Sequence, residues 1–473
     1  MTEETITPGC LLVKAMTAAS IALLVEEDKL TWDTRVKDIL SVFEIQDDII
    51  RNHPTVADLL CHRTGMSWDD NYYISTENNL IIRGKDGMKH LSNQEPVLPF
   101  RGQFQYNNLP YEPAGYVIER FSGVTYLAFV TSRLTHPIGM PRISYKIPQA
   151  GTDNVATCYN VLDNGTPTPV PCVKTGDNGF GASSGGIRIC VKDLLKLYGV
   201  LLASANDRFA HEITSTEDSP LKQVSHLMSA KIPMSQPTRS ETSYAFGWAR
   251  VQLPGRMGDI ACNPGLMPNG MPIVGKGAPS QLAIYHQRSL PGALAAFLLL
   301  PDNESAIVVL TNTLALNDTP GWVAQHVLEE LLEVPDRNDY VAAAKTSVAE
   351  SVNWYSSTIE ELTKNCKADT SPKNLEDYTG TYWDAIHIVK IDLSLEDGTL
   401  YSALQGLPSE EFSLDHYKHD TFTWLHRNKL AKRGRWVDQG AEFWKLRFEG
   451  NDGHIERLFW SMTLVFRRWN IRS

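Results

Sequence analysis

The sequence predicts a mixed α/β (α+β) protein, in which a helical cluster with a helix-covered antiparallel sheet is followed by a small antiparallel β-barrel. Three observations support this fold class. Apolar residues follow helical spacing in most of the first 200 residues, continuously apolar segments of strand length begin near residue 280, and alternation of apolar and polar residues dominates after residue 373. These patterns indicate helices, strands buried on both faces, and strands with one exposed face, respectively.

The N-terminal half is predicted to be mainly helical. Residues 11–29 combine helical spacing with many Ala, Leu and Glu residues, which favour helices. Thr55 is a candidate N-cap of a short helix, and the apolar stripe that starts near Tyr111 ends at Gly123, a residue type common just after helices. The other predictions for this half are helices over 126–136 and 187–202 and an irregular loop over 150–185.

A buried sheet is predicted in the second half of the first domain. Its elements are expected to be strands over 281–286, 293–300 and 306–310 and helices over 319–333 and 338–364. The polar stretch 367–372 then interrupts the pattern and is typical of a linker. We therefore expect one domain over residues 1–366 and a second over 373–473.

The second domain is predicted to be an antiparallel barrel or sandwich. Residues 389–395 alternate apolar and polar side chains up to an Asp-Gly turn at 397–398, and residues 444–448 repeat the pattern up to a second Asp-Gly turn at 452–453. The basic run 427–435 is predicted to be a solvated loop between strands.

Composition excludes several function classes. The formal net charge of −11 and a pI near 5.7 disfavour nucleic acid and anionic membrane as main partners. The seven cysteines are scattered without a Cys-x-x-Cys pair, which argues against a disulfide scaffold or a structural zinc and favours a reducing compartment. The start of the chain is acidic, and the apolar segment 11–25 is short and contains Lys14, so neither a secretory signal nor a membrane span is expected. The sequence therefore predicts a cytoplasmic protein.

Three segments, far apart in the chain, carry residues suited to acyl chemistry. They are Lys14 with Thr17 and Ala18, Tyr106-Asn107-Asn108, and His286-Gln287-Arg288. In order and spacing they resemble the Ser-x-x-Lys, Tyr-x-Asn and Lys/His-x-Gly elements of the class C β-lactamase and penicillin-binding-protein superfamily, over about residues 10–333. The final barrel resembles the lipocalin-like domain often appended to this family. The resemblance is closest to fungal members, some of which accompany secondary-metabolite pathways.

The residue types explain why these elements occur together. A hydroxyl attacks an acyl carbon only when a base takes its proton. A lysine one turn along a helix shares a face with the residue that carries the hydroxyl. Burial beside a tyrosine favours a neutral amine or a tyrosinate, and either can act as the base.

The resemblance implies hydrolysis or transfer of an ester or amide acyl group of a small molecule through a serine acyl-enzyme. Lys14 and Tyr106 would share the role of base, Asn108 would hold the substrate's carbonyl or amide, and His286 would line the opposite wall. The oxyanion hole would use two backbone N–H groups, one at the nucleophile position and one near Ser289. No metal or organic cofactor is implied, and the oligomeric state stays open.

Two residues depart from the family pattern. Leu11, three residues before Lys14, stands where the nucleophilic serine is expected, and Arg288 occupies the glycine position of the third element. A long cation there would crowd the oxyanion hole or fill the substrate site. The chain is therefore either a hydrolase or acyltransferase family member with a degenerate nucleophile position, or a non-catalytic or repurposed pocket protein that uses Lys14 and Tyr106 for binding or proton transfer.

The start of the chain bears on the same question. In this superfamily a helix and a strand hairpin precede the lysine helix, and ten residues are too few to supply them. The strand over 307–310 is then expected to be an unpaired apolar edge. An unnatural start at Met1 would also account for Leu11.

Other interpretations of the same residues remain open. Cys10 lies four residues before Lys14, on roughly the same helix face but rotated by about 100° from position 11, and could supply a thiol. Residues 181–185 match Gly-x-Ser-x-Gly, although no buried strand precedes them. Lys14 could be a structural salt-bridged lysine, Tyr106 and Asn108 could cap the following helix, and His286 could be a core histidine.

Overall fold

The computed structural model describes most of the chain. The described residues are 1–9, 12–68, 70–146, 148–149, 151–174, 179–235, 240–367, 369–451, 454–461 and 464–468. Three features singled out in the sequence, namely Cys10, Leu11 and the Asp-Gly turn at 452–453, lie outside these residues.

The described helices are concentrated in the first three quarters of the chain. They are α1 Val13–Glu26, α2 Val36–Ile39, α3 Asp48–Asn52, α4 Val56–Leu60, α5 Asp70–Tyr73, α6 Gly87–Ser92, α7 Tyr111–Ser122, α8 Tyr126–Val130, α9 Ala182–Gly185, α10 Val191–His211, α11 Val224–Met228, α12 Thr319–Leu331, α13 Tyr340–Asn365 and α14 Arg427–Lys432. Among these residues, no helix is both long and apolar enough to cross a bilayer.

The strands fall into a large sheet, several small pairings and a closed barrel. In the first domain they are β1 Thr7–Pro8, β2 Cys158–Val161, β3 Pro167–Val170, β4 Arg188–Ile189, β5 Ile232–Pro233, β6 Thr242–Tyr244, β7 Ala249–Leu253, β8 Gly255–Arg256, β9 Ile273–Val274, β10 Gln281–Leu290, β11 Ala293–Leu300, β12 Ser305–Thr311 and β13 Thr313–Leu314. In the second they are β14 Gly380–Asp384, β15 Lys390–Glu396, β16 Thr399–Leu404, β17 Glu411–Lys418, β18 Thr421–Thr423, β19 Lys445–Asn451, β20 His454–Trp460 and β21 Leu464–Arg468.

The large sheet of the first domain has the order β12-β11-β10-β7-β6-β5 within the described residues. All eight residues of β11 are buried, as its continuous apolarity predicts, and helix α12 packs against β11 and β12. Strand β12 ends the sheet, and most of its residues are only half-buried. This strand contains the segment 307–310 that was expected to form an apolar edge.

Local signals account for several helix ends. Thr55 and Asp58 form a reciprocal capping box at the start of α4, as the candidate N-cap at Thr55 predicts. Helix α7 ends at Gly123, which adopts a left-handed conformation with φ of 72°. Both boundaries follow from side-chain or backbone chemistry within a few residues, which is why they can be predicted locally.

Two sequence expectations need correction. The predicted loop 150–185 contains the hairpin of β2 and β3 and the short helix α9. Proline residues in β3 hide the strand pattern, because proline lacks a ladder donor and is confined to strand edges. The basic run 427–435 is not a solvated loop, since it forms α14 and buries two of its arginines. Arg427 pairs with Asp163 at 2.7 Å, and Arg435 pairs with Glu410 at 3.0 Å.

The described strands of the second domain form a closed antiparallel barrel of eight strands. Its interior is rich in aromatic rings, including Trp424, Trp444 and Trp460. The barrel also contacts the first domain, because the Glu410 carboxylate accepts hydrogen bonds from the backbone N–H and the hydroxyl of Thr76. A buried carboxylate of the second domain is therefore hydrogen-bonded to the first domain.

Candidate active site

Lys14 is the centre of the candidate site. It lies in the first turn of α1 and is fully buried, with no exposed side-chain surface. Its Nζ donates to Asn108 Oδ1 at 2.5 Å and to the backbone oxygen of Ser184 at 3.1 Å. Three segments that are distant in sequence therefore meet at one ammonium group.

Tyr106 lies beside this lysine. Lys14 Nζ is 5.2 Å from the centroid of the Tyr106 ring. The buried Tyr106 hydroxyl has no hydrogen-bond partner among the described residues. Burial raises the pKa of the Tyr106 phenol well above its ordinary value, and Tyr244 and Asp70 add to the effect. Of the two base forms considered for this pair, the structure thus disfavours the tyrosinate.

Asn108 links the lysine to a carboxylate. Its Oδ1 accepts from Lys14, and its Nδ2 donates to Asp70 Oδ2. The Tyr73 hydroxyl donates to the other oxygen of Asp70. Asn108 therefore positions Lys14, and its contact with substrate stays a prediction. Asp70 was not selected from the sequence, because nothing in the neighbouring residues distinguishes this buried aspartate from carboxylates that lie on the surface.

An aromatic wall encloses the site. The His62 ring lies 4.3 Å from that of Tyr106 and 4.8 Å from that of Tyr244, and His286 lies 6.1 Å from Tyr106 between ring centroids. The backbone N–H of Asn107 donates to His62 Nδ1, while His62 Nε2 has no hydrogen-bond partner among the described residues. His62 was not among the site residues selected from the sequence.

The two histidines of this wall are held neutral. Burial, followed by the positive charge of Lys14, lowers the pKa of His286 to about 3 and that of His62 well below its ordinary value. A histidine whose pKa falls on folding stabilises the folded protein above its unfolded pKa of about 6.5, and this contribution is lost as the pH drops towards the folded pKa.

We therefore expect acid to weaken the wild-type fold partly through His286. Between pH 6 and 4, His286→Gln should lose less unfolding free energy than the wild type, by up to about 1.4 kcal/mol per pH unit. Urea unfolding measured across this pH range checks the prediction. The exposed His53→Gln is the control, and a His286→Gln curve parallel to that of the wild type would contradict it.

The side chains of the third predicted element, together with Ser289, lie on both faces of strand β10. Adjacent strand residues point to opposite faces, so the side chains of His286 and Arg288 share one face and that of Ser289 lies on the other. Arg288 is buried and donates to the backbone oxygen of Pro8, shortly before α1. Ser289 lines a cavity of about 380 Å³ that also touches the barrel. The side chain of Ser289 is thus not brought to Lys14, and its backbone role stays a prediction.

The ladder between β7 and β10 covers only the first half of β10. Strand β7 pairs with residues 281–285 of β10, and its ladder ends at Tyr285. On that side, residues 286–290 have no strand partner among the described residues.

Gly247 holds the sheet against the lysine helix. It has a φ of +85°, and a Cβ there would lie 2.9 Å from the backbone nitrogen of Ala15. We expect Gly247→Val to lower the free energy of unfolding by about 1–3 kcal/mol, because it adds both backbone strain and a clash with α1. Chemical denaturation measures the loss.

Gly139→Val is the matched control for this variant. Gly139 has a φ of +75° but nothing within 4 Å of its Cβ position, so it tests backbone strain alone. If both variants lose the same free energy of unfolding, the contact with α1 contributes nothing to the loss at Gly247. A larger loss at Gly247 would assign the difference to that contact.

The described residues contain no group of three or more His, Cys, Asp or Glu side chains arranged to hold a metal ion. The titratable groups that the structure brings together at the site are the buried amine of Lys14, the Tyr106 phenol, the imidazoles of His62 and His286 and the Asp70 carboxylate. Such groups are suited to moving a proton near a bound carbonyl.

Comparison with known proteins agrees with the fold. A family model described as β-lactamase matches residues 1–331, and one described as a domain of unknown function, DUF3471, matches residues 364–472. The structure of an octameric penicillin-binding protein homologue from Pyrococcus abyssi superposes with a TM-score of 0.54 at 17% identity, covering 98% of this chain and 89% of that one. At this identity the match shows the fold alone.

Two curated fungal proteins are also similar. Unguisins hydrolase ungD' of Aspergillus campestris is 24% identical over 393 residues, covering 78% of this chain and 65% of its own length. Unguisins hydrolase ungD of Aspergillus violaceofuscus is 22% identical over 443 residues, covering 87% and 72%. The chain thus spans less than two thirds of the length of the first of these relatives.

Proposed function

The chain belongs to the β-lactamase family, and on that basis we propose that its site hydrolyses or transfers the acyl group of a small-molecule ester or amide. Lys14 and Tyr106 are the proposed proton-transfer pair. The similar fungal proteins are both named hydrolases, which supports this reaction class.

The position of Lys14 is the observation that carries the proposal. Burying an ammonium group costs several kcal/mol unless it is compensated, so a fully buried lysine needs a reason. Here Nζ donates to the Asn108 amide oxygen and to the backbone oxygen of Ser184, and the Asn108 amide in turn donates to the Asp70 carboxylate. An amine held in this way beside the unpaired Tyr106 hydroxyl is placed to exchange a proton with a bound molecule.

The proposed roles follow from the protonation states. Lys14, once neutral, takes the proton of the attacking group, and the Tyr106 phenol relays that proton from Nζ to the leaving group, so that both groups return to their starting forms. Leu11 has no attacking atom, so in the chain as written a water molecule would have to attack the acyl carbon. The water proton would pass to Nζ while the ester or amide bond breaks.

A second candidate is a binding protein that retains the family pocket without turnover. Two departures from the family pattern favour it. Leu11 stands at the nucleophile position, and the buried Arg288 occupies the glycine position of the third element, where it donates a hydrogen bond to the backbone oxygen of Pro8 shortly before α1. In that case Lys14 and Tyr106 would bind the carbonyl or carboxylate of a ligand rather than move a proton during its hydrolysis.

Turnover of p-nitrophenyl esters and of a chromogenic β-lactam separates the candidates. If the chain hydrolyses either, Lys14→Met should reduce kcat/KM by about 10²–10⁴-fold and Tyr106→Phe should also reduce it. Lys29→Met, at an exposed lysine just past the end of α1, is the matched control and should retain activity. Turnover that survives Lys14→Met would refute this site, and a silent wild type would favour the binding protein.

A further inference from the structure

Two cysteines outside the candidate site are close neighbours. Cys158 is the first residue of β2 and is buried, and Cys172 follows β3 and is half-buried. The hairpin register pairs Cys158 with Val170, which brings Cys172 back to the same end of the hairpin. Their Sγ atoms lie 3.1 Å apart. A disulfide needs about 2.05 Å between sulfurs, so a shift of about 1 Å would bring them to bonding distance.

The surrounding structure holds both cysteines in place. Asn78 Nδ2 donates to the backbone oxygen of Pro171 at 2.7 Å, next to Cys172. On the other side, a Cβ added to Gly292 would lie 2.7 Å from Cys158 Cβ, so the turn after β10 packs directly on this cysteine. These contacts keep the two sulfurs next to each other, and bond formation then requires a further approach of only about 1 Å.

The two thiols differ in reactivity. Its hydrogen bond with Cys158, followed by the positive charges of Arg188 and Arg288, lowers the pKa of Cys172. Burial works against this shift at Cys172, and at Cys61 it dominates and raises the pKa of the thiol to about 12. A half-buried cysteine whose pKa is lowered by the positive charges of two arginines has the environment of a nucleophilic thiolate, and its buried neighbour is placed to react second.

We propose that Cys158 and Cys172 form a reversible intramolecular disulfide when the protein meets a low-molecular-weight disulfide such as glutathione disulfide. The Cys172 thiolate attacks one sulfur of the oxidant, whose S–S bond breaks and releases one glutathione thiolate. Cys158 then gives up its proton and attacks Cys172 Sγ, which releases the second glutathione. Two protein thiols are oxidised and one glutathione disulfide is reduced to two glutathiones.

One tryptic peptide reports this reaction. No lysine or arginine lies between Lys146 and Lys174, so both cysteines fall in the peptide 147–174. The purified chain is treated with glutathione disulfide, its remaining thiols are blocked with N-ethylmaleimide, and the digest is analysed by mass spectrometry. We expect this peptide to lose two hydrogen atoms and to carry no maleimide, and dithiothreitol should reverse the change. The oxidised chain should also melt at a higher temperature, because the bond constrains the unfolded state.

Single substitutions test the order of attack. Cys158→Ser should leave glutathione attached to Cys172, and Cys172→Ser should leave the buried Cys158 unmodified. Cys366→Ser removes a half-buried cysteine outside the pair and should leave the loss of two hydrogens unchanged. Two maleimides on the wild-type peptide after oxidation, a cross-link from either cysteine to another position, or a glutathione adduct that persists in the wild type would each overturn the proposal.

Discussion

Leu11→Ser is expected to raise the hydrolysis of a chromogenic ester on the order of 10³-fold and to make the chain react covalently with a fluorophosphonate. The substitution adds a hydroxyl three residues before Lys14, at the spacing at which the family places its nucleophile. The amine of Lys14 is already buried and held by Asn108 and Ser184, so the base that the family pattern requires is in a fixed position. Ester turnover and mapping of the labelled peptide measure the effect.

Leu11→Ala is the matched control, because it removes the same leucine side chain without adding a hydroxyl. Its turnover should stay at the wild-type level, and the Leu11→Ser gain should disappear when Lys14→Met is added. Equal rates for the serine and alanine variants would show that the remaining site cannot support an acyl-enzyme. Labelling at Cys10 instead of position 11 would identify a different nucleophile.

Arg435→Met is expected to lower the free energy of unfolding by about 3–5 kcal/mol, since it leaves the buried Glu410 carboxylate without its cation. Arg435 is 2% exposed and Glu410 1%. The guanidinium also lies 5.2 Å from the Trp424 ring centroid. Because Glu410 accepts hydrogen bonds from Thr76 of the first domain, the loss should weaken the contact between the domains as well as the barrel. Urea denaturation followed by tryptophan fluorescence measures it.

Arg457→Met provides the comparison on the surface of the same barrel. Arg457 pairs with Glu449 at 3.0 Å, but its side chain is 51% exposed, so its removal should cost no more than about 1 kcal/mol. Adding Glu410→Leu to Arg435→Met should recover part of the stability, because no uncompensated charge is then left buried. Similar losses for the two arginine variants would contradict the assigned role of burial.

Much of the site could be predicted because its residues lie in ordered family motifs. The sequence selected Lys14, Tyr106, Asn108 and His286, and the structure brings these four together. It did not select Asp70, His62 or Tyr244, which orient or enclose them. Those residues act through contacts between distant segments, and no local spacing distinguishes them from ordinary polar or core residues.

The cysteines illustrate the same limit. Cys158 and Cys172 are far enough apart in the chain that their spacing resembles no motif. They become neighbours only because β2 and β3 form a hairpin, and the prolines of β3 conceal that hairpin from a reading of strand patterns.

The sequence by itself determined the fold class, the strand β11 at both ends, the helix α7 and the alternating strands of the barrel. Periodicity and end-capping are local properties, so a chain shows them before it folds. Tertiary structure alone decided that Arg427 and Arg435 are buried, that Arg288 donates to the backbone oxygen of Pro8, and that the side chain of Lys14 loses all contact with solvent. Burial of a charge depends on which surfaces meet, and only the packing of distant segments settles that.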